Sequence, residues 1–349
     1  MHIDARDRSL PAPARRRRRA TAAGAALALL AACAAPGPEP GAAPEGGVDA
    51  RASAGGVRPG RVAAAPPAAR DAAPVAGPRG PLPADPRAIA AAMRGVPIVL
   101  LGEVHDNPGQ HALRAQALAE RIAAGERFAI AFEQLDRERQ ADVDRARGER
   151  PRDADWLIAR AGARGWDWSL YRPFVQLALD HDLPIVAANL SRTGASRVVR
   201  DGFAAAFDAT ALRTLGLNPV SPALLAAHER EVDAGHCGAI PVTMLAPMAR
   251  AQIARDATLA AAIEPWARDG VVLLTGNGHV RRDLGVPRWL SSAWRERTLA
   301  IGFVERSPGE AAPAADGRYD AVVHTPPVER GDPCASFAPR GRPGGTSAR

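Results

Sequence analysis

The sequence contains no lysine: all 45 basic residues are arginine. That excludes a Gly-rich phosphate loop of the type that ends in Lys-Ser/Thr. No Gly-x-Ser-x-Gly elbow occurs, so a nucleophile-elbow serine hydrolase is excluded as well. His228-Glu229 is not followed by a second His at metalloprotease spacing. Gly276-Asn277-Gly278-His279-Val280-Arg281 lacks the third Gly of a dinucleotide fingerprint. Aromatic residues make up 4% of the chain, with two tyrosines, and there are three cysteines. Long apolar runs are missing too. The best candidate, Ala20 to Ala32, falls short of the ~20 residues a membrane-spanning helix needs.

What is present is an ordinary globular balance, 46% hydrophobic and 24% charged over 349 residues. That length allows about two domains. Gly (33) and Pro (32) gather toward the two ends. The formal charge of +7 would suggest a polyanionic partner, but residues 1–32 hold seven Arg and two Asp. Without them the charge is +2, which calls for no nucleic acid.

Those first 32 residues have the layout of a signal peptide: the block Arg15–Arg19, a short apolar run, and small residues at the cleavage site. Leu30-Ala31-Ala32-Cys33 resembles a bacterial lipobox, whose cysteine is acylated and becomes the mature N-terminus. The plainer alternative is a secreted protein with an incidental Cys33. Ala34 after the cysteine, in place of Asp, is similar to outer-membrane lipoproteins facing the periplasm. Residues 33–84 are dominated by Ala, Pro and Gly and read as a lipidated, disordered tether. The folded domain is expected over 85–335, with a disordered tail over 336–349.

Within the domain, four apolar runs have the continuous character of buried parallel strands: Val96–Leu101, Phe128–Phe132, Pro184–Ala188 and Val271–Leu274. Amphipathic helical stretches separate them, one starting at Asn107-Pro108 with Leu113, Ala117, Leu118 and Ile122 as its apolar face. The predicted class is α/β: a mostly parallel central sheet flanked by helices, with a helical subdomain at about 193–268. Each strand ends in polar residues. These are Glu103 and His105, then Glu133, then Asn189, then Asn277 and His279. Ligands in such sheets bind outside the carboxyl ends of the strands. Glu103, His105, Glu133 and His279 are therefore expected to converge, either as a general acid–base centre or as ligands for a divalent metal. Read singly, each is equally a cap or a solvent-facing strand end.

Trp166, Trp168, Tyr171 and Phe174 lie within nine positions, as an anchor for the helical part or as the wall of a flat ligand's pocket. Cys237 and Cys334 remain after Cys33, and an exported chain would pair them. With His236 beside Cys237, free thiols or metal ligands are the alternative.

Gly102-Glu103-Val104-His105-Asp106-Asn107, Phe132-Glu133, Trp166–Phe174, Ala188–Arg192, His236-Cys237-Gly238, Gln252–Asp256, Gly276–Asp283 and Asp332-Pro333-Cys334 together resemble the ChaN-like family of iron-regulated, haem-binding lipoproteins. The wider group looks related to erythromycin esterases and to Tiki/TraB proteins, with a Gly-x-x-His pair matched here by Gly102–His105 and Gly276–His279. The resemblance implies an α/β domain with a helical subdomain, and a homodimer enclosing two stacked haems. It also implies a tyrosine iron ligand, for which Tyr171 is the candidate. Trp168 would stand against the porphyrin, and Arg192 or Arg172 would pair with its propionates. No Cys-x-x-Cys-His occurs, so such a haem is non-covalent. Two functions follow as expectations: a lipid-anchored haem-binding protein of iron uptake, or a hydrolase using the Glu/His cluster.

Overall fold

A computed structural model describes residues 80–310, 316–332 and 334–335. The expected signal peptide, Cys33, the tether up to residue 79 and the tail from residue 336 lie outside the described residues. In chain order the elements are β1 (Gly80–Leu82), α1 (Pro86–Met93), β2 (Ile98–Leu101), α2 (Pro108–Ala123) and β3 (Ala129–Asp136). Then come α3 (Gln140–Glu149), α4 (Ala154–Ala161), α5 (Trp168–Asp180), β4 (Ile185–Asn189), α6 (Arg192–Asp201), α7 (Ala209–Thr214), α8 (Pro222–Gly235) and α9 (Val242–Ile263). The chain continues through β5 (Val271–Leu274), α10 (Asn277–Val280), α11 (Ser292–Arg295), β6 (Thr298–Glu305) and β7 (Ala321–Thr325).

The seven strands form one sheet in the order β1-β7-β6-β2-β5-β3-β4, with every pair parallel. Helices cover both faces, so the central strands are buried throughout and read as unbroken apolar runs. One core unites Val99, Leu101, Ile130 and Phe132 with α1, α2 and α5, and a second unites Ile98, Leu100, Ala131 and Leu273 with α9. The four strands that end in polar residues are neighbours, β2-β5-β3-β4. Their carboxyl ends therefore form one continuous edge.

Local signals start the helices where the sequence places them. Asp85 and Asn107 accept from the amides of Ala88 and Gln110, each with a Pro at the first helical position. The long connection from β4 to β5 is helical, α6 to α9, with its own apolar cluster around Val198, Phe207, Leu217 and Ile253. Helix α9 runs beneath the sheet edge and is buried over most of its length, from Met248 to Ile263. Cys237, in the turn after α8, is disulfide-bonded to Cys334 with a Cα–Cα separation of 5.8 Å. The segment leading to Cys334 is also held by Arg330, which forks onto Asp106 after β2 and onto Glu305 at the end of β6.

Candidate functional site

Glu103 follows β2 directly and is completely buried. Its carboxylate is saturated. His105 Nδ1 lies 2.7 Å from Oε1, the Tyr171 hydroxyl donates to the same oxygen at 2.5 Å, and the buried guanidinium of Arg114 donates to Oε2. His111, also on α2, lies 3.8 Å from Oε2. Burial alone pushes Glu103 up. Arg114, the His105 hydrogen bond and His111 overcome it, and the carboxyl is held well below the usual carboxylate range. Glu103 is thus a fixed negative charge that orients His105. Burial lowers the His105 pKa, but its contact with Glu103 and the charge of Glu133 more than compensate, so the ring stays above its ordinary value. The Trp166 ring stands edge-on to His105, with centroids 4.9 Å apart.

The second half of the site comes from β3 and β5. Between Phe132 and Asp136 the register of β3 against β4 shifts, and Glu133 lies in this irregular stretch. Glu133 accepts from the Thr275 hydroxyl at 2.7 Å and from the Gly276 amide at 2.9 Å. His279 Nε2 is 3.5 Å from its other oxygen. Nδ1 of His279 meets Asp256 on α9 at 2.6 Å. Burial lowers the His279 pKa, but the two flanking carboxylates raise it further, up to about 10. Burial also raises Asp256, so the Asp256–His279 contact keeps its proton across the neutral range.

Gly102 and Asn277 fix the frame. The Asn277 side chain donates to the Phe303 carbonyl at 2.6 Å and accepts from the Phe303 amide at 3.0 Å, stitching α10 to β6. A Cβ on Gly102 would fall 2.2 Å from Asn277 Oδ1. Glycine is required there for close approach.

His105, Glu133, Asn189, Arg192 and His279 all line one cavity of about 500 Å³, within the range of small-molecule sites. Trp166 and the turn 162–165 form one wall, and Gln252 and Arg255 of α9 another. Glu103 sits behind His105, outside the lining. Four of the groups singled out in the sequence are placed as follows. Tyr171 is 1% exposed, its hydroxyl is committed to Glu103, and burial next to that carboxylate pushes its pKa far up. Trp168 turns its ring into the core and donates to the Ala163 carbonyl, so Trp166 is the tryptophan at the cavity. Arg172 is engaged bidentately with Asp155, outside the cavity. Finally, among the described residues no group of three or more His, Cys, Asp and Glu is arranged to hold a metal ion. The carboxylate oxygens are taken up by Arg114, Tyr171, Thr275 and the Gly276 amide.

Arg114 and His111 escaped the sequence reading, and Asp256 entered it only inside the Gln252–Asp256 motif, with no role. The signal was present for the first two, because positions 111, 114 and 118 are i, i+3 and i+7 on the inner face of α2.

An all-parallel sheet with helices on both faces and a buried, paired Glu/His network at its carboxyl edge makes this an α/β protein of the doubly wound type. A family model described as "Haem-binding uptake, Tiki superfamily, ChaN" matches residues 89–290, more than half of the chain, and the protein belongs to this family. Among solved structures the fold is similar to one titled "Cofacial heme binding to ChaN of Campylobacter jejuni", at 18% identity and a TM-score of 0.50, covering 67% of this chain and 89% of that one. It also matches the type III effector HopBA1, at 14% identity and a TM-score of 0.38, covering 73% of this chain and 96% of that one. A search of curated protein sequences gives no match.

Proposed function

We propose that the protein is a haem-binding carrier of the uptake type, with the cavity at the strand ends as the seat of the tetrapyrrole. Membership of a haem-binding uptake family supports the ligand. The observation that carries the seat is the cavity itself: about 500 Å³, with Trp166 on one wall and arginines around the mouth. The lining is rich in polar and charged side chains. In this reading Cys33 bears the lipid anchor, on the periplasmic face of the outer membrane, and a second copy joins to enclose stacked haems. Mature protein without acyl mass on Cys33 overturns the anchoring. A haem titration followed by Soret absorbance tests the ligand. The wild type and Tyr171→Phe are both expected to shift the band, because Tyr171 serves Glu103. No shift in the wild type overturns the reading.

A second reading is favoured by one specific arrangement. Glu103–His105 and Asp256–His279 are both carboxylate-oriented imidazoles, and both face Glu133. Binding alone does not require such a pair. In a hydrolase, one imidazole would take the proton of an attacking water while its carboxylate fixes the ring. Turnover of an ester panel that disappears in His105→Ala and Glu133→Gln would favour it. Turnover that survives both variants would remove it.

A further inference from the structure

His279 stands between two spaces. On one side is the cavity at the strand ends, where Glu133 lines the wall 3.5 Å from His279 Nε2. On the other is a cleft of about 30 Å³ among α8, α9 and α10, lined by His228, Glu231, Asp256, Gly278, His279 and Arg281. Asp256 lines the cleft and not the large cavity, and Glu133 lines the cavity and not the cleft. His279 and Gln252 line both and form the partition. The imidazole thus carries one nitrogen toward each space, with Nδ1 2.6 Å from Asp256.

The cleft is small and polar. Its 30 Å³ exceeds the roughly 10–15 Å³ that one water needs, and Asp256, Gln252 and Glu231 offer hydrogen-bonding partners. It leads outward along Glu231, whose side chain is 40% exposed and pairs with the buried Arg281 at 2.8 Å. His228 is buried, and burial holds its ring below its ordinary pKa, so it adds no second positive charge near Asp256. The contrast with the other half of the site is informative. A carboxylate that only orients a ring can be sealed in the core, as Glu103 is behind His105. Asp256 instead opens on a space of its own.

We propose that Glu133, His279 and Asp256 form a proton relay between the cavity and the cleft, so that a group bound in the cavity exchanges protons with solvent through the back of the site. The inference goes beyond the haem-uptake reading and holds for any occupant of the cavity. In the outward step a proton taken up by Glu133 passes to Nε2 of the neutral ring. The Nδ1 proton passes to the Asp256 carboxylate, and the resulting carboxylic acid releases it to water in the cleft. One proton enters the ring and one leaves it, and the ring remains protonated at Nε2. The return step runs through the same atoms in reverse and restores the ring without turning it.

The test uses the full chain labelled with nitrogen-15 histidine. The Nδ1 proton of His279, assigned by its loss in His279→Gln, is followed for exchange with water by saturation transfer. Gly278→Leu places a side chain at the cleft wall, where an added Cβ meets no atom within 4 Å. Exchange in this variant is expected to fall at least about tenfold with the resonance position unchanged, because the His279–Asp256 contact is kept and only the cleft water is lost. Trp166→Ala widens the cavity on the other side and is expected to leave exchange within about twofold of the wild type. Unchanged exchange in Gly278→Leu, or a rise of more than about tenfold in Trp166→Ala, would overturn the relay, since the proton would then leave through the cavity. A high-resolution crystal structure of the wild type is expected to show a water hydrogen-bonded to Asp256 in the cleft. A dry cleft overturns the proposal, and this measurement decides it if Gly278→Leu does not fold. None of these outcomes bears on the haem reading, which the Soret titration tests separately.

Discussion

Replacing Arg114 by leucine is the sharpest probe of the buried network. The guanidinium is fully buried and pairs with Glu103, itself fully buried. It also stands 5.3 Å from the Phe174 ring centre, so leucine retains some of the packing. What leucine cannot retain is the charge. Glu103 would keep its contacts with His105 and Tyr171 but lose its full positive neighbour, and removing one partner of a buried pair costs about 3–5 kcal/mol. The pH dependence separates this cause from simple packing loss. In the wild type Glu103 is held below its ordinary pKa, so its contribution is complete above about pH 4.5 and is lost as the pH falls further. In Arg114→Leu burial dominates and the folded pKa moves above the unfolded one. Stability then declines as the pH rises through about 4.5, and the deficit is larger at pH 7 than at pH 4. Reversible urea unfolding at both pH values measures it. The double variant Arg114→Leu/Glu103→Gln removes the stranded charge, and at pH 7 should be more stable than Arg114→Leu alone by about 1–3 kcal/mol. A deficit below about 1 kcal/mol at pH 7, or one equal at pH 4 and pH 7, would refute the assignment of Glu103 as a charge held by Arg114.

Two further outcomes follow from the frame around the site. The disulfide joins residues 97 positions apart, so Cys237→Ser/Cys334→Ser should lose about 4–5 kcal/mol on chain-entropy grounds, read as a lower urea midpoint; an unchanged midpoint would show that the released segment unfolds separately. Gly102→Ala should be destabilised by roughly 1–3 kcal/mol through collision with Asn277 Oδ1, and Gly102→Ala/Asn277→Ser should recover part of that loss; no loss in the single variant, or no recovery in the double, would show that the close approach does not set the requirement for glycine.

Much of the fold was legible because buried parallel strands have no polar face to interrupt them. Val96–Leu101 and Val271–Leu274 stand out for that reason, and they pair side by side. The outer strands did not announce themselves. β1 is Gly-Pro-Leu, which has no strand pattern of its own and becomes a strand by pairing with β7. β6 carries Gly302 in its middle, where the Tyr319 ring leaves no room for a side chain. At the site, strand ends revealed Glu103, His105, Glu133 and His279 because polar residues follow apolar runs there. Arg114 and Asp256 were hidden because a charged residue in a helix is ordinarily solvated, and only its tertiary partner shows otherwise. Tyr171 and Trp168 could not be placed from the sequence, because dense aromatics look alike whether they face a ligand or a core. The structure turns both inward and leaves Trp166 at the cavity.

The place of β7 between β1 and β6 has a consequence in time. β1 has no partner until Ala321–Val323 exist, some 240 residues after it in the chain. At a synthesis rate of about 5–20 residues per second, the first strand waits roughly 10–50 s for the last. Through that interval the chain emerging from a ribosome cannot complete its sheet, whatever its central strands have done. The β1–β7 edge is therefore the last part of the sheet that synthesis can complete.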